Sequence, residues 1–188
     1  RRHSDDFVLI RSSPSIYENN HFDSSWQASL RHSFHVSANS VLLAGFEADG
    51  DSISSNNLGV HARNRGAGYV DLDLRPAKRA FNLSVGAREE FFSGNVDPVF
   101  APQLSGSLRL PHQLKLRASS GYGFRIPTYT DLYYSDPSTM GNPNLKPESA
   151  WSVDGGVDWS PSSKLIISMT GFYTRQHDAI DYVRPSPA

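Results

Sequence analysis

Three tyrosines and an arginine are the side chains best placed to meet a ligand. They lie in GYGFRIPTYTDLYYSDPSTMGNPNLKPE, Gly121 to Glu148, where Arg125, Tyr129, Tyr133 and Tyr134 are spaced over ten positions. Tyrosine offers a broad apolar face with a polar tip, suited to stacking on a small molecule, and arginine adds a fixed cationic fork. Other chemistry is harder to build. Cysteine is absent, which removes disulfides, thiolate metal sites and thiol nucleophiles. The seven histidines form no H-x-x-x-H or H-E-x-x-H pattern, and His32 and His35 only flank a turn. Asp5–Asp6 and Asp49–Asp51 supply carboxylate oxygens of the kind calcium uses, although solvated loops carry such pairs routinely. SSGYG and DLDL hold loose catalytic ingredients, without a nucleophile elbow or a phosphate loop. We therefore expect no enzyme, no resident cofactor and no metal centre beyond a loop calcium.

The stretch itself has the physics of a stiffened connection. Gly121 and Gly123 end a strand, and Pro127 lacks the amide a ladder needs. Thr128 stands three residues before Asp131, a capping-box spacing for a turn of helix through TYTDLYY. Pro143 and Pro147 push Asn142 and Lys146 towards extended geometry, and Glu148 leads into the next strand.

Around it, period-2 alternation dominates and helical periodicity is scarce. Val70, Leu72 and Leu74 alternate with Asp71, Asp73 and Arg75; Leu83 and Val85 with Asn82, Ser84 and Arg88. Leu104 and Leu108 alternate with Ser105 and Arg109, Leu114 and Leu116 with Lys115 and Arg117. Trp151, Val153, Val157 and Trp159 alternate with Asp154 and Asp158. With segments at Asp5–Ile10, Ser24–Phe34, Ser40–Asp49 and Leu165–Arg175 this makes nine candidate strands, most near the 9–11 residues of a tilted bilayer crossing. The connections alternate in length. Short ones centre on His35–Asn39, Pro76–Arg79, Pro111–Gln113 and Pro161–Ser163. Long ones are Arg11–Asp23, Gly50–Gly66, Phe92–Ala101 and Arg125–Ser149. In an antiparallel meander alternate connections share one end of the sheet, so one end is trimmed and the other decorated.

Alternation and a charged face suit a soluble β-sandwich as well, one whose tyrosines would stack on carbohydrate. One-ended loops favour a transmembrane barrel with short periplasmic turns and long extracellular loops. Trp151 and Trp159, on one face near the two ends of a strand, match the spacing of two aromatic girdles. The balanced charge, 18 basic against 19 acidic residues, gives no nucleic-acid footprint. The chain starts at Arg1 with no signal-like segment and closes in RPSPA just after a strand-like run, so we expect a piece of something longer.

FRIPTYTDLYYSDPSTMGNPNLKPE also resembles the F-R-A-P-T, E/D-L-Y and G-N-P-N-L-K-P-E signature of TonB-dependent outer-membrane receptors. Phe124, Arg125, Pro127, Thr128, Asp131, Leu132 and Tyr133 match, as do Gly141, Asn142, Pro143, Asn144, Leu145, Lys146, Pro147 and Glu148; Ile126 departs from the small residue usual there. The subgroup most similar is that of vitamin B12 and ferric-siderophore receptors. The resemblance implies an all-β fold, an antiparallel stretch of a 22-stranded barrel in the bacterial outer membrane. It implies uptake of cobalamin or an iron chelate, energised by the TonB protein through a plug domain. Residues 1–188 would be part of the barrel, without the plug or the barrel's C-terminal strands. The motif residues would mainly brace the loop base, with Arg125 and the tyrosines as candidate ligand contacts.

Overall fold

The computed structural model describes residues 1–8, 10–14, 18–76, 80–94 and 96–183. Nine strands follow one another: β1 (Arg2–Val8), β2 (Glu18–Ser37), β3 (Ser40–Ser55), β4 (Gly59–Leu74), β5 (Phe81–Phe92), β6 (Val99–Leu110), β7 (Leu114–Arg125), β8 (Glu148–Ser162) and β9 (Leu165–His177). A five-residue helix, α1 (Tyr129–Tyr133), interrupts the connection from β7 to β8. Each strand pairs antiparallel with the next, giving a single open sheet with β1 and β9 at its edges.

The sheet has no dry core. Among the described residues only Ile53, Leu58 and Ala67 are buried hydrophobics, while Leu30, Phe46, Val70, Leu104 and Met169 stand exposed. Pairing explains why. Residues directly opposite on neighbouring strands share a face. Phe81, Leu108, Leu116, Val157 and Met169 are linked partner to partner across five strands, as are Leu72, Val85 and Leu104 across three. Asp71, Asp73, Arg88, Arg109 and Arg117 lie on the opposite face, in the register that the alternation predicts. Polar groups there satisfy one another. Ser84 and Gln103 each donate to Asp71 at 2.9 Å, and Arg88 bridges Glu47 at 2.8 Å and Glu90 at 2.6 Å. A sandwich would cover the apolar face with a second sheet; here all nine strands lie in one. Lipid is the solvent that this face suits.

Aromatic placement agrees. Trp151 lies at the loop end beside Tyr122, ring centroids 5.5 Å apart, and Trp159 lies at the turn end opposite Leu114 and Ile167. The Asn64 side chain and the Trp26 indole crowd Gly50, where an added Cβ would clash with Asn64 Oδ1 and meet Trp26 Nε1 at 2.5 Å.

The trimmed end is as expected. Two residues join β2 to β3 and β8 to β9, and the β6–β7 turn passes through left-handed conformations at His112 and Gln113 (φ 60° and 62°). Of the expected turn at Pro76–Arg79, residues 77–79 lie outside the described residues. The decorated end needs a correction. Gly50–Gly66 is not a long loop: β3 runs to Ser55, β4 starts at Gly59, and only Asn56–Leu58 turn between them. Likewise β2 already begins at Glu18 and has 20 residues, and β3 and β4 have 16 each, well beyond the 9–11 expected. These strands continue past the zone of apolar alternation, and there cross-strand ion pairs take its place on the polar face, which the β7–β8 loop partly covers. Asp49 sits opposite Arg65 and Asp51 opposite Arg63, each pair in ionic contact. The Phe92–Ala101 connection shortens too, to the residues between Phe92 and Val99. Arg125–Ser149 is the long loop expected.

Candidate ligand site at the loop end of the sheet

The loop between β7 and β8 is clipped at its base by Arg125. Its Nε donates to Glu148 Oε1 at 2.6 Å and its Nη1 to Asp131 Oδ2 at 3.2 Å, tying the end of β7 to the start of β8 and to α1. Thr128 caps α1: its hydroxyl oxygen accepts from the Asp131 amide at 3.1 Å, and its own amide donates to Asp131 Oδ2 at 2.8 Å. Partial burial favours the neutral acid at Asp131. Hydrogen bonds from Thr128 and Arg125 outweigh that and hold its pKa below the ordinary aspartate range.

The two halves of the motif then meet. The Gly141 amide donates to the Tyr134 carbonyl at 2.7 Å and the Asn142 amide to the Asp131 carbonyl at 2.9 Å. A Cβ on Gly141 would come within 2.8 Å of the Leu132 carbonyl carbon, so the close approach requires glycine. The Asn142 side chain accepts from the Asn144 amide at 3.0 Å, and its carbonyl accepts from Leu145 at 3.3 Å. Pro143, Lys146 and Pro147 line the crevice beneath. Phe124 meets Phe92 edge to face at 6.0 Å at the crevice wall. These placements give the motif residues a bracing geometry.

The candidate ligand contacts divide. Tyr129 and Tyr133 turn to the polar face and pack on the β3–β4 hairpin. The Tyr133 ring stacks on His61 with centroids 3.7 Å apart, Tyr129 lies 5.8 Å from the same imidazole, and the Tyr129 hydroxyl donates to the Asp51 carbonyl at 3.2 Å. Burial and the Asp51 carboxylate push the Tyr129 phenol above its ordinary pKa. Tyr134 points elsewhere, its hydroxyl donating to Asp136 at 3.0 Å. Asp136 also accepts from the Ser138 amide and hydroxyl and from the Thr139 amide, which lowers its pKa and folds the loop tip.

Between the loop, the hairpin and the β5–β6 connection lies a crevice of about 800 Å³, lined by His61, Phe92, Tyr129, Tyr133, Leu145 and Lys146 among others. That volume falls within the usual range of small-molecule sites. His61, Arg63 and Asn57 are the residues that sequence reasoning missed. Their signal was present: His61, Arg63 and Arg65 recur every second residue, as one face of a strand would. The carboxylates considered for calcium are placed otherwise, Asp5 and Asp6 on opposite faces of β1, Asp49 and Asp51 each against an arginine. Among the described residues no three metal-ligating side chains cluster.

Comparison with known proteins fits this architecture. The family described as TonB dependent receptor-like, beta-barrel, matches residues 3–188. The chain is 46% identical over 71 residues to the vitamin B12 transporter BtuB of Photobacterium profundum, covering 37% of this chain and 11% of that protein. It is 29% identical over 152 residues to BtuB of Vibrio vulnificus, covering 78% of this chain and 24% of that protein. Among solved structures, the siderophore receptor PirA of Pseudomonas aeruginosa superposes with a TM-score of 0.70 at 17% identity, over 85% of this chain and 33% of that one. The hemophore receptor HasR of Serratia marcescens gives 0.67 at 15%, again over 85% and 33%. The chain thus spans a quarter or less of these curated relatives and a third of these solved receptors. With the family model matching almost from end to end, the chain belongs to the TonB-dependent receptor-like β-barrel family of the bacterial outer membrane.

Proposed function

We propose that this sheet is part of the wall of a receptor that captures a scarce small ligand outside the cell and passes it through the outer membrane. The observation that carries the reading is the β7–β8 loop, folded over the polar face and enclosing an aromatic-lined crevice at one end of a lipid-suited sheet. A cobalamin is the first candidate ligand, because both curated relatives are vitamin B12 transporters; a ferric chelate is the second. The solved siderophore and hemophore receptors are too distant in sequence to speak for a ligand.

The work is binding and gating, with no bond made or broken in the cargo. Arg125, Asp131 and Glu148 hold the loop base, so that Tyr129, Tyr133 and the crevice beneath them meet the ligand with little left to order. Further strands would satisfy the unpaired edges of β1 and β9, which a bilayer cannot hydrate. A plug closing the lumen would take up the pull of TonB. The charged inner face, with Arg88, Glu47, Arg117 and Asp158, suits such a polar filling better than a dry one.

The test is uptake by cells whose own B12 receptor is deleted and which express the whole receptor. Saturable binding of cyanocobalamin, with uptake abolished when TonB is deleted, is the expected result. Binding of a ferric catecholate in place of cyanocobalamin would move the assignment to the second ligand. Uptake that persists without TonB would refute the mechanism.

A further inference from the structure

Arg63, on β4, uses its guanidinium in three directions. Nε and Nη2 donate to the two oxygens of Asp51 at 2.8 and 3.0 Å, across the β3–β4 pair. Nη1 donates to the Pro127 carbonyl at 2.8 Å, a link between residues 64 apart in sequence. The guanidinium carbon lies 4.6 Å from the centre of the Tyr129 ring, within cation–π range. On the same strand face His61 stacks on Tyr133. At the hairpin tip the Asn57 side chain donates to the Ser135 carbonyl at 2.9 Å and accepts from the Ser135 amide at 3.5 Å. The hairpin therefore grips the loop at Pro127, along α1 and again at Ser135.

We propose that Arg63 is the positioning residue that holds the β7–β8 loop in its inward pose, so that the β3–β4 hairpin and the loop move as one body when ligand enters or leaves. This deepens the receptor reading and rests on it for the ligand. Three features of the geometry support the assignment. The loop's own secondary structure is one five-residue helix and an isolated bridge from Ser135 to Met140, too little to fix its pose against the wall. Arginine's planar fork serves a carboxylate with two donors while a third reaches a carbonyl; lysine, a single point donor group, cannot hold both in fixed directions. Finally, Asp51 is already fixed by the β3–β4 ladder, so Arg63 carries the order of a strand pair to a loop that lacks it.

The test uses the whole receptor in liposomes, with spin labels at Val60 on the hairpin and Met140 on the loop, both largely exposed. The 188 residues bring no native thiol that would compete with the labelled positions. Pulsed dipolar spectroscopy reads the distance distribution without ligand, and cyanocobalamin binding is measured in parallel. Arg63→Ala should broaden a narrow distribution and weaken binding roughly tenfold, with the heat-modifiable shift of the folded barrel kept. Arg63→Lys should fall between. Tyr133→Leu, which leaves the Arg63–Asp51 pair intact, should broaden the distribution too. Saturating cyanocobalamin should narrow it again in Arg63→Ala, which a hairpin merely broken by the substitution would not allow. A distribution unchanged in Arg63→Ala would overturn the proposal, and broadening in Tyr133→Leu alone would move the positioning role to the His61–Tyr133 stack. A parent receptor that binds no cyanocobalamin would sink the ligand assignment instead, while the ligand-free distances would still decide the role of Arg63.

Discussion

The imidazole of His61 lies parallel to the Tyr133 ring, with centroids 3.7 Å apart and planes within 5°. One ring belongs to the β3–β4 hairpin, the other to the loop between β7 and β8. The contact lays one flat ring over the other and shields part of each from water. Together with the Arg63 and Asn57 contacts, it makes the loop a docked element rather than a tethered one.

Docking divides the three candidate tyrosines. Replacing Tyr129 and Tyr133 by alanine removes both ring contacts to the hairpin and two faces of the crevice, and should weaken ligand binding roughly tenfold or more. Tyr134→Ala should change affinity less, since its hydroxyl serves Asp136 at the loop tip. Equilibrium binding on intact cells, normalised to surface receptor, distinguishes the two; equal losses would mean that docking is not what matters.

Arg125 should govern the loop base without governing the barrel. Its side chain is 45% exposed, so the two ion pairs it makes contribute modestly to overall stability. Arg125→Ala is expected to leave the melting of the barrel within a degree or two while speeding protease cleavage of the loop several-fold. Limited proteolysis of cells checks it.

Asp131 gives the loop an acid limit. Its folded-state pKa is depressed, so its stabilising effect is fully present above the unfolded value of about 3.9 and is lost as pH falls through the folded value. A mobility label at the exposed Thr130 of α1, beside the capping box and away from Asp136, should be steady from neutral pH down to about 4 and become freer below it. Asp131→Asn should show the freer signal at every pH. No acid transition in the parent would mean that the capping box does not hold the loop.

Two glycines of the same stretch should respond differently to alanine. At Gly141 the added methyl meets the backbone of Asp131 and Leu132 at 2.8–2.9 Å, whereas at Gly123 nothing lies within 4 Å. Gly141→Ala should destabilise the loop locally by about 1–3 kcal/mol, the ordinary cost of overpacking. Gly123→Ala should leave it unchanged. Hydrogen exchange at the Asn142 amide, bonded to the Asp131 carbonyl, is the readout.

What was legible in the sequence is what a membrane imposes. Lipid on one face and a polar lumen on the other force the alternation seen in Val70–Leu74 or Trp151–Trp159, so strand register and the trimmed turns could be read directly. The capping box was legible because Thr128 and Asp131 are local partners. The β3–β4 extension was not. Where one face carries ion pairs under a docked loop and the other is polar, DSISSNNLGVHARNR loses its apolar period, and a strand reads like a loop. Its meaning lies in pairs such as Asp51 with Arg63, which appear only once register is known. The Arg63–Pro127 contact joins residues 64 apart that no local rule relates.

The central claim, that one face of this sheet meets lipid and the other a polar lumen, is tested most directly at two neighbouring positions. Leu72 shares its face with Leu42 and Val85, and Asp73 shares the other with Val41 and Ser84. Single spin labels at each, in the whole receptor reconstituted in liposomes, are exposed in turn to oxygen, which partitions into lipid, and to a water-soluble nickel chelate. Oxygen relaxing the label at position 72 while nickel does not, with the label at 73 shielded from lipid-borne oxygen, is the predicted result. A nickel-accessible label at position 72 with an oxygen-accessible one at 73 would contradict the register, and with it the placement of this sheet in a membrane wall.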